Sequence, residues 1–215
     1  MHVTALFAGR PTAFGPRGAK SSIIKQPVES ITVLQERTLE DEQANRKLHG
    51  GPEKVLHQFS LAAYGLLQSH FPEGLFGPGT IGENLTVDTM DDSNVQVGDV
   101  YQFGDVILQV SAPRAPCNKI SLRFDIKNLD RFVGARGITG WYYRVLEPGV
   151  IRVDDPVAIL SRPEESICIG DLMRAVYDDS PCGQLDYYSQ LPTLDDEWRH
   201  KCLHKLEKQR RSKDA

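Results

Sequence analysis

Short apolar runs separated by turns rich in glycine and proline constrain the fold of this chain more than any other feature of its sequence. The runs are brief and rich in β-branched or aromatic residues, which is the pattern of buried strands. We predict strands over residues 3–8, 22–25, 30–35, 106–110, 141–146 and 157–160. Two stretches fit helices, one capped by Ser60 and running to about Phe71, and one starting at Asp125 and ended by Gly134 and Gly137. This balance predicts a β-rich α+β fold with a few helices, built on a closed or nearly closed β-barrel.

The pattern changes at Ser161, after which helical spacing replaces the strand signals. Apolar residues at 169, 172, 173 and 176 form one helical stripe, and those at 185, 188 and 191 form a second. Residues 193–196 (TLDD) resemble a capping box that opens a third helix, with Trp198, Cys202 and Leu206 on its inner face. We therefore predict two domains, a barrel over residues 1–161 and a small three-helix domain over residues 162–215.

The composition excludes several classes of protein. With 40% hydrophobic and 25% charged residues, the 215-residue chain has the make-up of an ordinary globular protein. A formal net charge of −4 gives no sign of the basic face that nucleic-acid binding usually needs. No apolar run approaches the ~20 residues of a membrane span, and the N-terminus lacks a signal-peptide pattern. We expect a cytoplasmic protein with neither a nucleic-acid nor a membrane partner.

The four cysteines lie at 117, 168, 182 and 202 and include no C-x-x-C pair. This number and spacing are sparse for a disulfide framework and wrong for a zinc ribbon or a four-cysteine iron–sulfur site. His200 and His204 flank Cys202 on the third predicted helix, but the cysteine projects from a different face and no third ligand is evident. We therefore interpret the four cysteines as reduced thiols and the two histidines as solvated helix residues.

Cys117 stands out among the four cysteines because of the stretch that carries it, residues 110–119 (VSAPRAPCNK). Pro113 and Pro116 follow a predicted strand and stiffen its exit, so the cysteine is placed on a rigid turn. Arg114 and Lys119 are close by in sequence, and neighbouring cations favour the thiolate, which attacks electrophiles and binds soft metals. The alternative is a structural cysteine, since free cysteines are often simply buried.

Two glycine-containing loops could accompany this cysteine in a site. Residues 49–51 (HGG) offer close backbone approach and anion-binding amides, and Arg46, Lys47 and Lys54 supply cations nearby. Residues 82–84 (GEN) could also form a binding loop, and either of the two segments could instead be a plain turn. Together with Cys117, the loops present a soft ligand, amides and cations, which suits an anionic, phosphate-bearing metal cofactor. No G-x-G-x-x-G fingerprint, P-loop or G-x-S-x-G elbow occurs in the chain.

Five separated motifs carry a resemblance to a known family. They are residues 40–44 (EDEQA), 49–52 (HGGP), 82–85 (GENL), 113–117 (PRAPC) and 140–143 (GWYY). In order and spacing they resemble the MOSC domain, which is shared with the C-terminal part of molybdenum cofactor sulfurases. The resemblance covers nearly the whole chain and is greatest to the bacterial YiiM-type branch, in which a three-helix domain follows the barrel.

The resemblance implies that the barrel binds the pterin-based molybdenum cofactor, with Cys117 as the protein ligand to molybdenum and the catalytic residue. It also implies a set of cofactor-binding residues. These are Arg46, Lys47, His49, Gly50, Gly51, Gly82, Asn84, Ser111, Arg114 and Lys119. Similar proteins reduce N-hydroxylated compounds, including N-hydroxylated purine analogues, to the corresponding amines. The cofactor carries the difficult chemistry in such enzymes, and the protein positions it.

The chain has no recognisable iron–sulfur, flavin or nicotinamide motif, so we expect electrons to arrive from a separate flavoprotein reductase. The helical domain is a reasonable place for that partner, or for a second copy in a homodimer, to dock. Two other functions stay open. One is a non-catalytic protein that carries or sulfurates the molybdenum cofactor, and the other is a metal-free cysteine enzyme or persulfide carrier.

Overall fold

The computed structural model describes residues 1–45, 50–178, 180 and 182–213. Its strands are β1 Val3–Ala8, β2 Thr12–Phe14, β3 Ala19–Ser21, β4 Gln26–Val28, β5 Ser30–Val33, β6 Leu56–Gln58, β7 Leu85–Val87, β8 Val100–Phe103, β9 Val106–Pro113, β10 Trp141–Glu147, β11 Gly149–Arg152 and β12 Val157–Ser161. Eight of these strands form one mixed sheet in the order β12-β8-β9-β10-β6-β7-β1-β4, while β11 pairs with β5 and β2 with β3. The β6–β7 pair is parallel, and the other strand pairs among the described residues are antiparallel.

The large sheet curves so that the segment just before β1 meets the segment just before β12. His2 and Pro156 form an isolated antiparallel bridge, and the amide of Val157 donates to the carbonyl of Met1 at 2.8 Å. Among the described residues no continuous ladder closes the sheet into a ring. The predicted β-rich α+β class is confirmed, and the bridge between His2 and Pro156 joins the two sides of the curved sheet.

The helices are α1 Leu61–His70, α2 Asn118–Phe124, α3 Leu129–Arg136, α4 Ile169–Tyr177, α5 Leu185–Ser189 and α6 Asp196–Lys213, and a short 3-10 helix spans Pro52–Lys54. The predicted cap of α1 is confirmed, since the Ser60 hydroxyl accepts from the amide of Ala63 at 3.3 Å. No helix within the described ranges is both long enough and apolar enough to cross a lipid bilayer.

Two predicted boundaries near the cysteine are wrong. The strand predicted over residues 106–110 is too short, because β9 runs on to Pro113, its last residue, which pairs with Trp141. The helix predicted from Asp125 begins at Leu129, since Asp125 has a φ of 54° and ends the unpredicted helix α2. A left-handed residue cannot continue a right-handed helix, so the chain forms two short helices where one was expected.

A third prediction, a strand over residues 22–25, is also wrong. The strand β3 ends at Ser21, whose hydroxyl accepts from the amide of Ile23 at 3.3 Å and so replaces a ladder hydrogen bond. The segment that follows is irregular and delivers Lys25 to a buried position.

The C-terminal helices share their core with the sheet. Leu172 of α4 and Trp198 of α6 belong to the same buried cluster as Leu108 of β9 and Tyr143 of β10. The amide of Trp198 donates to the Asp195 carboxylate at 2.8 Å, so Asp195 caps α6 instead of the predicted Thr193. The cluster is continuous across the predicted domain boundary at residue 161, and α6 is held firmly against the sheet.

Candidate functional site

A cleft of about 590 Å³, open to solvent, lies where several strand ends and loops of the large sheet meet. The chain after β9 supplies the cysteine, β6 and β10 supply aromatic rings, and the loop before β7 supplies a glycine and an amide. The lining residues are Ser21, Ser22, Ile23, Lys25, Asp41, Gln43, Ala44, Lys54, His57, Gly82, Asn84, Arg114, Cys117, Lys119 and Tyr142.

The structure brings five of the sequence-predicted site residues to this cleft. They are Gly82, Asn84, Arg114, Cys117 and Lys119. Gly50, Gly51 and Ser111 are not among its lining residues, and Arg46, Lys47 and His49 lie outside the described residues. Ser111 is fully buried, and its hydroxyl faces the carbonyls of Glu53 at 2.5 Å and Tyr142 at 3.1 Å. Its hydroxyl is therefore engaged within the fold.

Cys117 occupies the position just before helix α2, in extended conformation. The side chain is partly exposed at the cleft, and its sulfur lies 3.8 Å from Oδ1 of Asn118. The prolines on either side of Arg114 restrict the backbone that leads to it. The other three cysteines are also free thiols, and none of them lines the cleft.

Arg114 contributes a buried charge with an unused hydrogen-bonding group. The residue is 7% exposed, and its buried Nη1 has no hydrogen-bond partner among the described residues. The backbone amide of the same residue is satisfied by the carbonyl of Gly140 at 2.9 Å. Buried donors in folded proteins almost always find a partner, so an unpaired guanidinium nitrogen at a cleft indicates a place for an acceptor from a ligand.

His57 supplies the complementary group on the same cleft. Its Nε2 lies 3.2 Å from the carbonyl of Thr139, which can only accept, so Nε2 carries the proton and Nδ1 is left as an acceptor. That Nδ1 is buried and finds no hydrogen-bond partner within the part of the chain that the structure describes. Burial lowers the pKa of His57 well below its usual 6.5, and the nearby charges of Arg114 and Lys25 add to this. The imidazole is therefore neutral at physiological pH.

Lys25 and Asp41 form a buried ion pair in the cleft wall, with Nζ 2.5 Å from Oδ1. Asp41 also accepts from the amide of Gly9 at 2.8 Å, and this hydrogen bond fixes the loop that carries the EDEQA motif. Burial lowers the pKa of Lys25, although the carboxylate of Asp41 opposes the shift. Sequence reasoning missed this lysine because nothing around residue 25 distinguishes it from a solvated surface lysine.

Tyr142 of the GWYY motif and Lys54 form another part of the wall, although neither was predicted as a cofactor-binding residue. The ammonium of Lys54 lies 5.8 Å from the centre of the Tyr142 ring and also pairs with the carboxylate of Glu197 on α6. Burial raises the pKa of Tyr142, with Arg114 and Lys54 opposing the rise, so its hydroxyl stays protonated.

The GEN motif shapes the cleft through the backbone. Gly82 has a φ of +88°, and an added Cβ would lie 3.2 Å from the Cα of Ile23, so glycine is required there. The buried carboxylate of Glu83 accepts from the amides of Gly79 and Ile81, which closes the loop. Asn84 accepts from the amide of His57 at 3.1 Å and donates to the carbonyl of Phe7 at 3.3 Å. The motif therefore holds three strands in place around the cleft.

The cleft is cationic although the whole chain is acidic. Its lining includes the cations Lys25, Lys54, Arg114 and Lys119, against the single acid Asp41. Such a concentration of positive charge at a partly enclosed site favours an anionic ligand. By contrast, His200 and His204 are exposed, and the described residues contain no group of three or more His, Cys, Asp or Glu side chains that could hold a metal ion.

A model of the MOSC domain matches residues 45–158, just over half of the chain, and this range includes all five predicted site residues that line the cleft. Protein YiiM from Escherichia coli is 38% identical over 160 residues, which is 73% of this chain and 71% of that protein. The chain belongs to the MOSC domain family.

Within the MOSC family, the similarity to YiiM supports the YiiM-type branch. The crystal structure of YiiM from Geobacillus stearothermophilus superposes with a TM-score of 0.79 at 24% identity, covering 95% of this chain and 98% of that one, which shows the same fold. A Gibberella moniliformis protein described as a reductase is 36% identical over 131 residues, 60% of this chain but only 23% of the larger protein.

Proposed function

We propose that this MOSC protein is a molybdenum-cofactor-dependent reductase that converts N-hydroxylated compounds to amines. Cys117 would be the protein ligand to molybdenum, and the residues around the cleft would hold the pterin and its phosphate. Family membership supports a role linked to the molybdenum cofactor, and the match to a protein described as a reductase supports an oxidoreductase.

The observation that carries this proposal is a pair of buried groups in the cleft that have no hydrogen-bond partner in residues 1–45, 50–178, 180 and 182–213. Nη1 of Arg114 can only donate, and Nδ1 of neutral His57 can only accept. A pterin has both donors and acceptors along its edge, and its phosphate suits the cations Lys25, Lys54 and Lys119. The partly exposed thiol of Cys117 at the same cleft is a suitable ligand for a soft metal. The residues present therefore fit the cofactor.

The reaction consumes two electrons and two protons for each N-hydroxyl group, giving one amine and one water. When bound, the molybdenum cofactor supplies the two-electron chemistry that removes oxygen from nitrogen. The protein binds the anionic cofactor through its cations and keeps the imidazole of His57 neutral and able to accept a hydrogen bond. The Tyr142 hydroxyl stays protonated and can donate one.

We propose that the two electrons come from a separate flavoprotein reductase in the cytoplasm, with the helical segment, residues 162–215, as its docking surface or as a dimer contact. Deleting this segment is a poor test, because its buried residues share a core with the sheet. Replacing exposed Leu203 of α6 by Glu leaves that core intact. Relative to the parent, the variant should reduce the substrate at an unchanged rate with a chemical reductant and at a lower rate with the protein reductase. An unchanged rate with the protein reductase as well would contradict docking through α6.

The first test is the molybdenum and pterin content of the protein made in a host that synthesises the cofactor, beside the variant Cys117→Ser. We expect close to one molybdenum per chain in the parent and loss of metal in the variant, because a hydroxyl is a much poorer soft ligand. Turnover of 6-hydroxylaminopurine with a chemical reductant then tests the activity. Cys182→Ser, which alters a thiol away from the cleft, is the matched control.

The outcomes also separate the two alternatives. Absence of metal from the parent in a competent host would contradict the reductase, and a reactive Cys117 in that preparation would favour a metal-free cysteine enzyme. Tightly bound cofactor without turnover of any N-hydroxylated compound would favour a protein that carries or sulfurates the cofactor.

A further inference from the structure

A second cleft of about 580 Å³, also open to solvent, adjoins the cationic cleft at Cys117. It shares Lys54, Cys117 and Tyr142 with the cationic cleft, and its other lining residues are Pro113, Ala115, Pro116, Glu197 and Trp198. The thiol therefore stands at the junction of two cavities. The first is rich in cations, and the second is lined mostly by apolar and aromatic side chains.

The chemistry of this junction cleft differs from that of the cationic cleft. Pro113, Ala115 and Pro116 form an apolar wall, and Trp198 adds an aromatic one. Burial raises the pKa of Glu197, but hydrogen bonds from Lys54 and Lys201 outweigh that effect and lower it overall. Glu197 is therefore ionised and can accept hydrogen bonds from the N–H groups of a ligand. Apolar walls with one such acceptor suit a flat, nitrogen-containing aromatic ring.

The C-terminal wall of the junction cleft is fixed to the sheet. Asp195 caps α6 through the amide of Trp198, and its own amide donates to the carbonyl of Ser111 on β9 at 3.2 Å. The guanidinium of Arg144 on β10 donates to the carbonyl of Thr193 at 2.8 Å and to the carboxylate of Glu53. The first turn of α6 is thus held in place beside the end of β9, where a specificity-determining side chain needs to be.

We propose that the junction cleft binds the organic part of the substrate, a flat heteroaromatic ring bearing N–H donors, with its N-hydroxyl group directed towards Cys117. Glu197 accepts hydrogen bonds from the ring and Trp198 forms part of its apolar surroundings. The C-terminal helix thereby becomes a substrate-selecting element of the site. This inference rests on the proposed reductase function and adds to it the location of the substrate.

The sharpest test narrows the junction cleft without touching the cationic one, by the change Ala115→Leu. The matched control is Ala158→Leu, the same change on exposed strand β12. We expect Ala115→Leu to weaken binding of adenine, the amine product, by at least about tenfold in calorimetry on the cofactor-loaded protein, because the added side chain occupies the ring's space. The KM for 6-hydroxylaminopurine should rise more than the KM for hydroxylamine, which has no ring.

The carboxylate is tested separately by Glu197→Gln, with Lys201→Met as its control. Both changes break the Glu197–Lys201 pair, which has a 3.0 Å separation, but only the first removes the carboxylate. We expect Glu197→Gln to weaken adenine binding by about tenfold, since hydrogen bonds to charged groups are the stronger ones, and Lys201→Met to leave it within about threefold.

The two proposals fail in different ways. A parent protein that contains molybdenum and reduces 6-hydroxylaminopurine, combined with unchanged adenine binding and KM in both Ala115→Leu and Glu197→Gln, overturns the substrate site and leaves the reductase standing. A parent protein that takes up no molybdenum overturns the reductase itself. Loss of molybdenum in Ala115→Leu would also contradict the inference, because it would show that residue 115 acts on the cofactor.

Discussion

Burying the guanidinium of Arg114 costs free energy, and hydrogen bonds among the described residues do not satisfy all of its nitrogens. A guanidinium cannot lose its charge at any physiological pH, and a buried nitrogen without a partner forfeits the hydrogen bonds it made with water. Because Nη1 of Arg114 is in this position at the cleft, the residue is better explained by what it binds than by what it stabilises. His57 is similar, since its neutral ring leaves one buried acceptor unused.

The change Arg114→Met separates binding from stability. We expect it to lower the pterin retained after purification by at least about tenfold while leaving the free energy of unfolding unchanged or higher, because it removes a buried charge and keeps much of the side-chain volume. Pterin is measured by fluorescence after oxidation, and unfolding by urea titration of the cofactor-free protein. Arg123→Met, outside the cleft lining, is the control. A variant that keeps its pterin but loses stability would show that Arg114 has a structural role.

Asp92 makes the stability of the fold depend on pH. Its Oδ1 accepts from the amide of Gly140 at 2.9 Å, and its buried Oδ2 has no partner among the residues that the structure describes. Burial raises the pKa of Asp92 from 3.8 to about 7. The folded state therefore holds the proton more tightly than the unfolded state, so this residue's contribution to stability declines as the pH rises from about 4 to 7.

The change Asp92→Asn keeps the acceptor for Gly140 and removes the titration. The free energy of unfolding of the variant should rise relative to the parent by up to about 1.4 kcal/mol per pH unit between pH 5 and pH 7, and the difference should level off above pH 8. Urea unfolding at several pH values measures this. A difference that is constant across the range would mean that Asp92 titrates normally in the folded protein.

At the level of elements, the helix α6 shows how one cap supports both fold and site. Asp195 holds the first turn of α6, and that turn carries Glu197 and Trp198 to the junction cleft. The short 3-10 helix on the facing side carries Lys54, which pairs with Glu197. A change in the direction of the first turn of α6 would therefore displace the wall of the proposed substrate site.

We predict that Asp195→Ala lowers the free energy of unfolding by about 1 kcal/mol at pH 8, the usual value of an N-cap, because it leaves the Trp198 amide without its acceptor. Asp195→Asn should cost less, since the amide oxygen can take the same place. Urea unfolding measures both changes. Equal losses in the two variants would indicate that the charge of Asp195, and not its cap, is what stabilises the helix.

The elements with strong local signals were predictable, and those near the site were not. The strand β1, the cap of α1 and the apolar stripe of α4 follow from period and capping chemistry. The helix α2 has only seven residues and no side-chain cap, so no local sequence signal predicts its start at Asn118. Its end depends on a left-handed Asp125, which local propensity does not specify.

Part of the cleft could likewise be predicted and part could not. The motif residues Gly82, Asn84, Arg114 and Cys117 were found because each stands in an unusual local sequence. Lys25 and His57 lie on ordinary-looking segments, and they meet Lys54 and Tyr142 only through the pairing of distant strands. Burial gives these residues their chemistry, and burial of a lysine or histidine is a tertiary property that no short pattern encodes.

At the scale of the whole molecule, charge and packing are distributed unevenly. A chain with a net charge of −4 concentrates cations around one cleft, so electrostatic attraction for an anion is local and not a property of the entire surface. The core, in contrast, is continuous from the sheet into the C-terminal helices. The helical segment is thus a structural part of the same body that carries the cleft.

The lysine shared by the two clefts has a thermodynamic consequence. Lys54 lines both cavities and pairs with Glu197, so an anion that draws on Lys54 from one side changes the hydrogen-bonding capacity of Glu197 on the other. Two ligands that alter one shared group are cooperative, and the cooperativity is reciprocal: each changes the affinity of the other by the same factor. Adenine should then slow the loss of pterin during dialysis, and should do so less in Lys54→Met. Equal rates of loss with and without adenine would mean that the two cavities fill independently.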